Sequence, residues 1–194
     1  ARRLGAIVSA TDVRPATKEQ VASLGAKFVA VEDDEFKQAQ TATGYAKPMS
    51  EAYQQKQAEL VANHIKAQDM VITTALIPGR PAPRLITRAM VESMKPGAII
   101  IDLAAERGGN CELTVPGQIV EHGGVRIDGR LNLAGEVTVN ASSLYAKNLL
   151  TFIDLMIDKK EKTLKVDWDD EVIKGTLVAK GGQIVHPNLQ PKGA

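Results

Sequence analysis

The chain has 194 residues, 44% of them hydrophobic, which allows one full domain or a domain plus part of another. Its 24 basic and 23 acidic residues leave a net charge of +1, which gives no indication of a nucleic-acid or anionic-membrane partner. The single cysteine, Cys111, excludes an internal disulfide, and the three histidines show no metal-ligand spacing. We therefore expect no resident metal and no nucleic-acid partner.

The first informative stretch is a short apolar run that begins at Ala6, ends at Asp12 and is stopped by Pro15. In doubly wound α/β folds the second strand ends in a carboxylate that accepts both ribose hydroxyls of an adenine dinucleotide. Because a carboxylate repels a 2′-phosphate, Asp12 predicts NAD(H) rather than NADP(H). Arg14 weakens this preference, since its guanidinium can reach a phosphate. The alternative for Asp12 is a solvated carboxylate at a strand end.

Few residues precede Asp12. In the dinucleotide fingerprint the glycine-rich phosphate turn lies about 20 residues before the acid. Residues 1–5 are instead typical of the last turn of a helix, with Gly5 as its C-cap. We therefore expect the first strand and the phosphate-binding glycines to lie upstream, in a longer protein of which this chain is a fragment.

Helical and strand patterns then alternate, each bounded by glycine, proline or an N-cap residue. We predict helices at 15–24, 50–66 and 87–94, strands at 27–31, 70–75 and 98–102, and a hairpin at 118–127 around two glycines. The third and fourth apolar runs are continuous, which is typical of buried parallel strands. This alternation predicts a Rossmann-type, doubly wound parallel α/β sheet.

In open α/β sheets the ligand lies outside the carboxyl ends of the strands. The loop after the strand at 70–75 should line the adenosine side of such a site with its first residues, Thr74, Ala75 and Leu76. In the loop after 98–102, small residues and two glycines allow close backbone approach to a flat ligand. Glu106 in that loop lies near a nicotinamide or pairs with Arg107 at the rim. Asn132, in a later turn, is placed to donate to the carboxamide.

Two further features leave alternatives open. The long segment 32–50 carries Gly44 and Tyr45, which either close over a bound ligand or belong to an ordinary surface insertion. Arg80 and Arg84 either bind a phosphate or a partner surface, or remain solvated.

Four segments of the chain closely resemble the NAD(H)-binding domain of proton-translocating nicotinamide nucleotide transhydrogenase. They are Asp12-Val13-Arg14-Pro15, Gly44-Tyr45-Ala46-Lys47, Thr73-Thr74-Ala75-Leu76-Ile77-Pro78-Gly79-Arg80-Pro81-Ala82-Pro83 and Asp102-Leu103-Ala104-Ala105-Glu106-Arg107-Gly108-Gly109-Asn110-Cys111. The resemblance runs from residue 1 to about residue 187.

This resemblance implies the first domain of the alpha subunit, which binds NADH and passes a hydride to NADP⁺ on a separate domain, coupled to proton movement across the membrane. The implied partners are the NADP(H)-binding domain or beta subunit, the membrane-embedded domain and a second copy in a homodimer. The implied location is cytoplasmic, on the inner face of the bacterial inner membrane.

The resemblance also implies that the segment around Asp12, Gly44, Thr74 and Leu85 contacts NAD and that the loop bearing Tyr45 closes over it. The full predicted cofactor-binding set combines these positions with those argued above: Asp12, Val13, Arg14, Gly44, Tyr45, Thr74, Ala75, Leu76, Leu85, Leu103, Glu106 and Asn132. No catalytic residue is named, because the family keeps the polar residues that orient the nicotinamide in the upstream half.

The same resemblance implies that a helix at about 141–158 crosses to the other half of the protein. A strand at 164–166 and a hairpin at 176–185 then belong to that second α/β subdomain, and their apolar surface should be bare without it. We expect an NAD(H)-binding domain at 1–140 that lacks its first strand and glycine-rich turn. Residues 141–187 form the linking helix and the second subdomain's C-terminal part, and 188–194 a tail or linker.

Other functions remain as alternatives. Alanine dehydrogenase, which oxidatively deaminates L-alanine with NAD, shares the fold and the Ala-Pro loop but has a catalytic aspartate where this chain has Glu106. A non-catalytic dinucleotide-binding or dimerisation fragment is the third interpretation. Residues 94–98 also resemble 2-hydroxy acid dehydrogenases, but His122 and His186 lack the context of that family's catalytic histidine.

Overall fold

The computed structural model describes residues 1–39, 49–77, 79–187 and 189. The chain divides into two compact units, Ala1–Leu133 and Ala134–Ala194. A single 3-10 turn, Arg2–Leu4, opens the first unit and ends at Gly5, whose φ of 87° is the left-handed C-cap that the sequence predicts.

Helices and strands alternate through the first unit as predicted, although β1 and β2 are shorter than expected. The helices are α1 (Thr17–Ser23), α2 (Asp34–Lys37), α3 (Glu51–Ile65) and α4 (Arg88–Glu92). The strands are β1 (Ser9–Ala10), β2 (Lys27–Phe28), β3 (Met70–Thr73), β4 (Ile99–Asp102), β5 (Ile119–His122) and β6 (Val125–Asp128).

The N-caps explain where three of these helices begin. The side chains of Ser50 and Thr87 accept hydrogen bonds from the first turns of α3 and α4, as predicted. Helix α2 lies inside the segment that we predicted to be a loop, so that prediction was wrong there. The side chain of Asp33 caps α2 by accepting from the Phe36 N–H, and burial of the Phe36 ring holds this short helix in place.

The strands of the first unit form two sheets. Parallel strands β1 and β2 make one pair, while the second sheet has the order β3-β4-β6-β5. In this second sheet β3, β4 and β6 are parallel and β5 is antiparallel to β6. Gly123 and Gly124, with φ of 59° and 78°, form the tight turn between β5 and β6 that the sequence predicts.

The core lies on one face of the four-stranded sheet. Its buried side chains come from the sheet, from the end of α3 and from the α4 region: Ile65, Ile86, Met90, Val91, Met94, Ala98, Ile100, Cys111, Val125 and Ile127. Each fully buried large aliphatic side chain stabilises the fold by about 1.5–3 kcal/mol. This packing holds the carboxyl ends of β3 and β4 in fixed positions.

Strand β3 is parallel, as predicted, but it is not buried, because it forms the edge of its sheet. Met70 and Ile72 are each 56% exposed. An apolar groove of about 540 Å³ is lined by residues 6–11 around β1, by residues 70–74 of β3 and by the C-terminal part of α3. Hydrogen bonds fix the β1 side of this groove to α3, since Ser9 Oγ lies 2.8 Å from His64 Nε2.

The second unit contains α5 (Thr138–Asp154) and α6 (Glu171–Thr176). Its strands form the hairpins β7 (Ile157–Asp158) with β8 (Thr163–Leu164) and β9 (Ala179–Lys180) with β10 (Gln183–Ile184). The predicted hairpin around Gly181 and Gly182 is present. Within the described residues, no helix is both long and apolar enough to cross a membrane.

Helix α5 begins and ends three to four residues before the predicted bounds 141–158. Its C-terminal end is displaced because residues 157 and 158 pair with β8 instead of continuing the helix. Helix α6 was not predicted; the side chain of Asp170 caps it by accepting from the N–H groups of Val172 and Ile173. Several apolar side chains of this unit are exposed, among them Leu144, Leu150, Leu164 and Ile184.

Candidate functional site

Asp12 lies two residues beyond β1, at the carboxyl end of the β1–β2 pair. The Arg14 N–H donates to Asp12 Oδ1 at 2.9 Å, and the guanidinium donates to Oδ1 at 3.0 Å and to Oδ2 at 2.8 Å. Because a carboxylate offers about four lone-pair sites, one site on Oδ2 stays open beside Arg14. A contact through both oxygens requires the Arg14 side chain to leave Oδ1.

The charge of Asp12 is well defined. Partial burial acts to raise the pKa of Asp12, but the hydrogen bonds and the positive charge of Arg14 outweigh it and hold that pKa below its ordinary value. The Asp12 side chain is 28% exposed and that of Arg14 is 48% exposed, so both remain accessible to a ligand. At neutral pH this group is therefore an ionised, accessible acceptor, as recognition of hydroxyl donors requires.

The loops that follow β3 and β4 are joined along their length. Thr73 and Asp102, the last residues of the two strands, are paired in register, so the loops leave the sheet side by side. Backbone hydrogen bonds then connect Ala82 N–H to Arg107 O at 2.9 Å and Leu85 N–H to Asn110 O at 2.8 Å. The two loops therefore form one continuous surface at the carboxyl edge of the sheet.

This surface carries six of the predicted contact residues. They differ in chemistry but lie on the same two loops: Thr74, Ala75, Leu76, Leu85, Leu103 and Glu106. Leu76, Leu85 and Leu103 are 54%, 44% and 45% exposed, which leaves apolar side chains open to a flat ligand. Thr11, next to Asp12, lines the same groove as Thr74 and Leu85, so the acid and the loops share the groove's carboxyl end.

The guanidinium of Arg84 has a structural partner. Its Nη1 donates to the Cys111 carbonyl at 2.7 Å, which adds a further bond between the two loops. This contact favours neither of the alternatives, phosphate ligand or solvated side chain, that the sequence left open for Arg84.

Asn132 lies on the loop after β6, where its φ of 54° is in the left-handed region and its side chain is exposed. The start of this loop repeats the arrangement at Asp12. Arg130 donates from its backbone N–H to Asp128 Oδ1 at 3.0 Å and from Nη2 to Oδ2 at 2.7 Å. These bonds hold the pKa of Asp128 below its ordinary value, although burial opposes them.

Val13 is 49% exposed beside Asp12, whereas Gly44 and Tyr45 lie outside the described residues. The sequence analysis did not single out two buried polar residues of the paired loops, Asp102 and Asn110. The available signal was a carboxylate ending an apolar strand and an asparagine after two glycines. Their partners lie up to 35 residues away, so the sequence pattern alone did not indicate their contacts.

Comparison with known proteins agrees with this architecture. The family model described as "Alanine dehydrogenase/PNT, C-terminal domain" matches residues 1–187. The chain belongs to this family. The match extends over both units and includes the acid after β1 and the paired loops after β3 and β4.

Two relatives are similar along the whole length. The first part of the NAD(P) transhydrogenase subunit alpha of Rhodospirillum rubrum is 56% identical over 194 residues, which are 100% of this chain and 50% of the relative. The crystal structure of transhydrogenase from Sinorhizobium meliloti matches with a TM-score of 0.73 and 56% identity, over 95% of this chain and 47% of that one. This likeness confirms the predicted Rossmann-like α/β fold class.

A more distant member of the family is alanine dehydrogenase 1 of Staphylococcus aureus. It is 34% identical over 136 residues, which are 68% of this chain and 36% of the relative. The chain spans half the length, or less, of these curated relatives.

Proposed function

We propose that this chain is the NAD(H)-binding part of a proton-translocating transhydrogenase. In the full-length protein it would bind NADH and pass a hydride to NADP⁺ bound on a separate domain, while protons move across the membrane. The observation that carries this proposal is the ionised, accessible Asp12 at the same end of the groove as the paired loops. The 56% identity to a transhydrogenase alpha subunit supports it over alanine dehydrogenase.

The proposed contacts divide along the cofactor. Asp12, Val13 and Arg14 meet the adenine ribose, and residues of the β3 loop line the adenosine: Thr74, Ala75, Leu76 and Leu85. Leu103, Glu106 and Asn132 lie on the nicotinamide side. Gly44 and Tyr45 belong to a loop that closes over the bound cofactor. These roles follow from the position of each residue after a strand and from the chemistry of its side chain.

The proposed reaction requires no general base in this chain. A hydride leaves NADH with its electron pair and adds directly to NADP⁺, giving NAD⁺ and NADPH. Such a transfer depends mainly on bringing the two nicotinamide rings together in the right orientation. The protein therefore has to bind, orient and exclude water, which two rigid loops at a sheet edge can do.

We also propose that the groove between β1 and β3 receives the first strand of the doubly wound sheet. Such sheets place that strand between the strand that ends at the ribose acid and the strand that begins the second half. Here those two are β1 and β3, and both line the apolar groove. A segment preceding residue 1 in the full-length protein would supply the strand and its glycine-rich turn. The proposed domain bounds remain 1–140, 141–187 and 188–194.

The proposed partners are an NADP(H)-binding domain or beta subunit, a membrane-embedded domain and a second copy in a homodimer. This arrangement puts the protein at the cytoplasmic face of the bacterial inner membrane. The names of the relatives, which describe alpha subunits and a portion of one, support an assembly with further components.

Transfer of a labelled hydride tests the proposed function. The full-length protein is mixed with NADP⁺ and with NADH deuterated at the transferred position, with and without an NADP(H)-binding partner domain. We expect deuterated NADPH, detected by mass spectrometry, only when the partner domain is present. NADH-dependent amination of pyruvate without a partner would instead assign the protein to alanine dehydrogenase.

A further inference from the structure

Two polar side chains are fully buried between the loops that follow β3 and β4. Asp102 and Asn110 are both 0% exposed, and neither belongs to the proposed cofactor contacts. Removing an amide or a carboxylate from water is costly unless hydrogen bonds replace the lost hydration. The hydrogen bonds that these two side chains make therefore define their role.

The side chain of Asn110 is bonded to the β3 loop as a peptide group would be. Its Oδ1 accepts from the Ala75 N–H at 2.9 Å, and its Nδ2 donates to the carbonyls of Ala75 at 2.9 Å and Pro83 at 2.8 Å. Ala75 lies near the start of that loop and Pro83 near its end. One side chain of the β4 loop thus fixes both ends of the β3 loop.

Asp102 fixes the β4 loop to the sheet. Its Oδ1 accepts from the Thr73 hydroxyl at 3.0 Å and from the Ala104 N–H at 3.1 Å. Its Oδ2 accepts from the Cys111 N–H at 3.0 Å and from the Thr114 hydroxyl at 2.6 Å. These four donors use the about four acceptor sites that a carboxylate has, so Asp102 has none left for a ligand.

Gly109 allows the loop to approach Asp102 this closely. Its φ is 84°, and a Cβ at this position would lie 2.6 Å from Asp102 Oδ2 and 2.8 Å from Thr114 Cβ. Both the backbone conformation and the space therefore require glycine. The backbone of the β4 loop is thus built closely around the buried carboxylate.

We propose that Asp102 and Asn110 are positioning residues that fix the adenosine-side and nicotinamide-side loops relative to each other. The proposal rests on the proposed function, because that function assigns the two sides. The exposed side chains of Leu76 and Leu103 on these loops face the ligand, whereas the two buried residues set where the loops lie. Since misplacement by about 1 Å can cost about a hundredfold in rate, this arrangement controls turnover more than affinity.

Asn110→Ala in the full-length protein tests this role. Asp102→Asn is less suitable, because it turns an amide toward donor groups and is expected to impair folding. For Asn110→Ala we expect the rate of hydride exchange at saturating NADH to fall about 10- to 100-fold. The Kd for NADH, measured by fluorescence titration, should change by less than about threefold, because an effect on the transition state alone leaves ground-state binding intact.

Val125→Ala is the matched control, because Val125 is equally buried in the core but lies in β6 rather than in either loop. We expect it to lower the melting temperature without changing the exchange rate per folded molecule. In Asn110→Ala alone, the amides of Ala75, Ala82 and Leu85 should exchange hydrogen faster.

The outcomes separate this inference from the proposed function. If wild-type protein binds NADH but the two variants change rate and affinity alike, Asn110 only stabilises the fold and the positioning role is overturned. If wild-type protein neither binds NADH nor exchanges hydride, the proposed function fails, and the assignment of cofactor sides fails with it.

Discussion

At the scale of single residues, the pair of Asp12 and Arg14 determines how the site distinguishes its cofactors. Arg14 occupies most of the acceptor sites of Asp12 and compensates its charge. A carboxylate compensated in this way repels a 2′-phosphate less than a bare one does. Arg14 therefore limits the preference for NAD(H) that Asp12 alone would give.

Arg14→Gln tests this effect in the full-length protein. We expect the ratio of the Kd for NADPH to the Kd for NADH to rise about two- to fivefold, the effect of one exposed charge contact. Titration of both nucleotides under the same salt conditions measures the ratio. Arg14→Lys is the matched control, because it keeps the charge and should keep the ratio. An unchanged or lower ratio in Arg14→Gln would show that Arg14 has no part in the discrimination.

At the scale of the elements, the gap between β1 and β3 is the main feature of the first unit. Both strands line the groove, and their backbone edges are free to pair with a further strand. Ile7 is fully exposed and Ile72 is 56% exposed, although both are large and apolar. A strand placed between them would bury these side chains and join the two sheets into one.

Cysteine labelling of the full-length protein tests whether a strand fills the groove. Ile7→Cys and Ile72→Cys should react with a thiol reagent about tenfold or more slowly than Glu121→Cys, since buried positions are protected. Glu121 is a suitable reference because it is exposed on β5, at the other edge of the sheet. The native Cys111 gives little background, because it is buried and burial raises the pKa of its thiol. Equally fast labelling at all three positions would contradict the proposal.

The same scale shows what the sequence could predict. Local chemistry determines the caps at Ser50 and Thr87 and the turn at Gly123 and Gly124, so these features were predicted correctly. The C-terminal end of α5 depends on pairing between β7 and β8, and α2 depends on burial of Phe36. Such features rely on contacts that local patterns do not contain, and they were missed.

At the scale of the whole molecule, the division into α/β elements and the position of the candidate site could be predicted, because parallel strands bring their carboxyl ends to one edge. The contacts of Asn110 could not, because its partners are 27 and 35 residues away. The pairing of Asp12 with Arg14 lay between these cases, since the two residues are close in sequence but their geometry depends on the turn.

The central claim is that Asp12 belongs to an NAD(H) site, and nucleotide binding to the full-length protein tests it most directly. Titration of wild-type protein should give tighter binding of NADH than of NADPH. Asp12→Asn should weaken NADH binding by roughly 1–3 kcal/mol, the usual cost of removing a charged hydrogen-bond partner. Unchanged NADH affinity in Asp12→Asn, or a wild-type preference for NADPH, would contradict the claim.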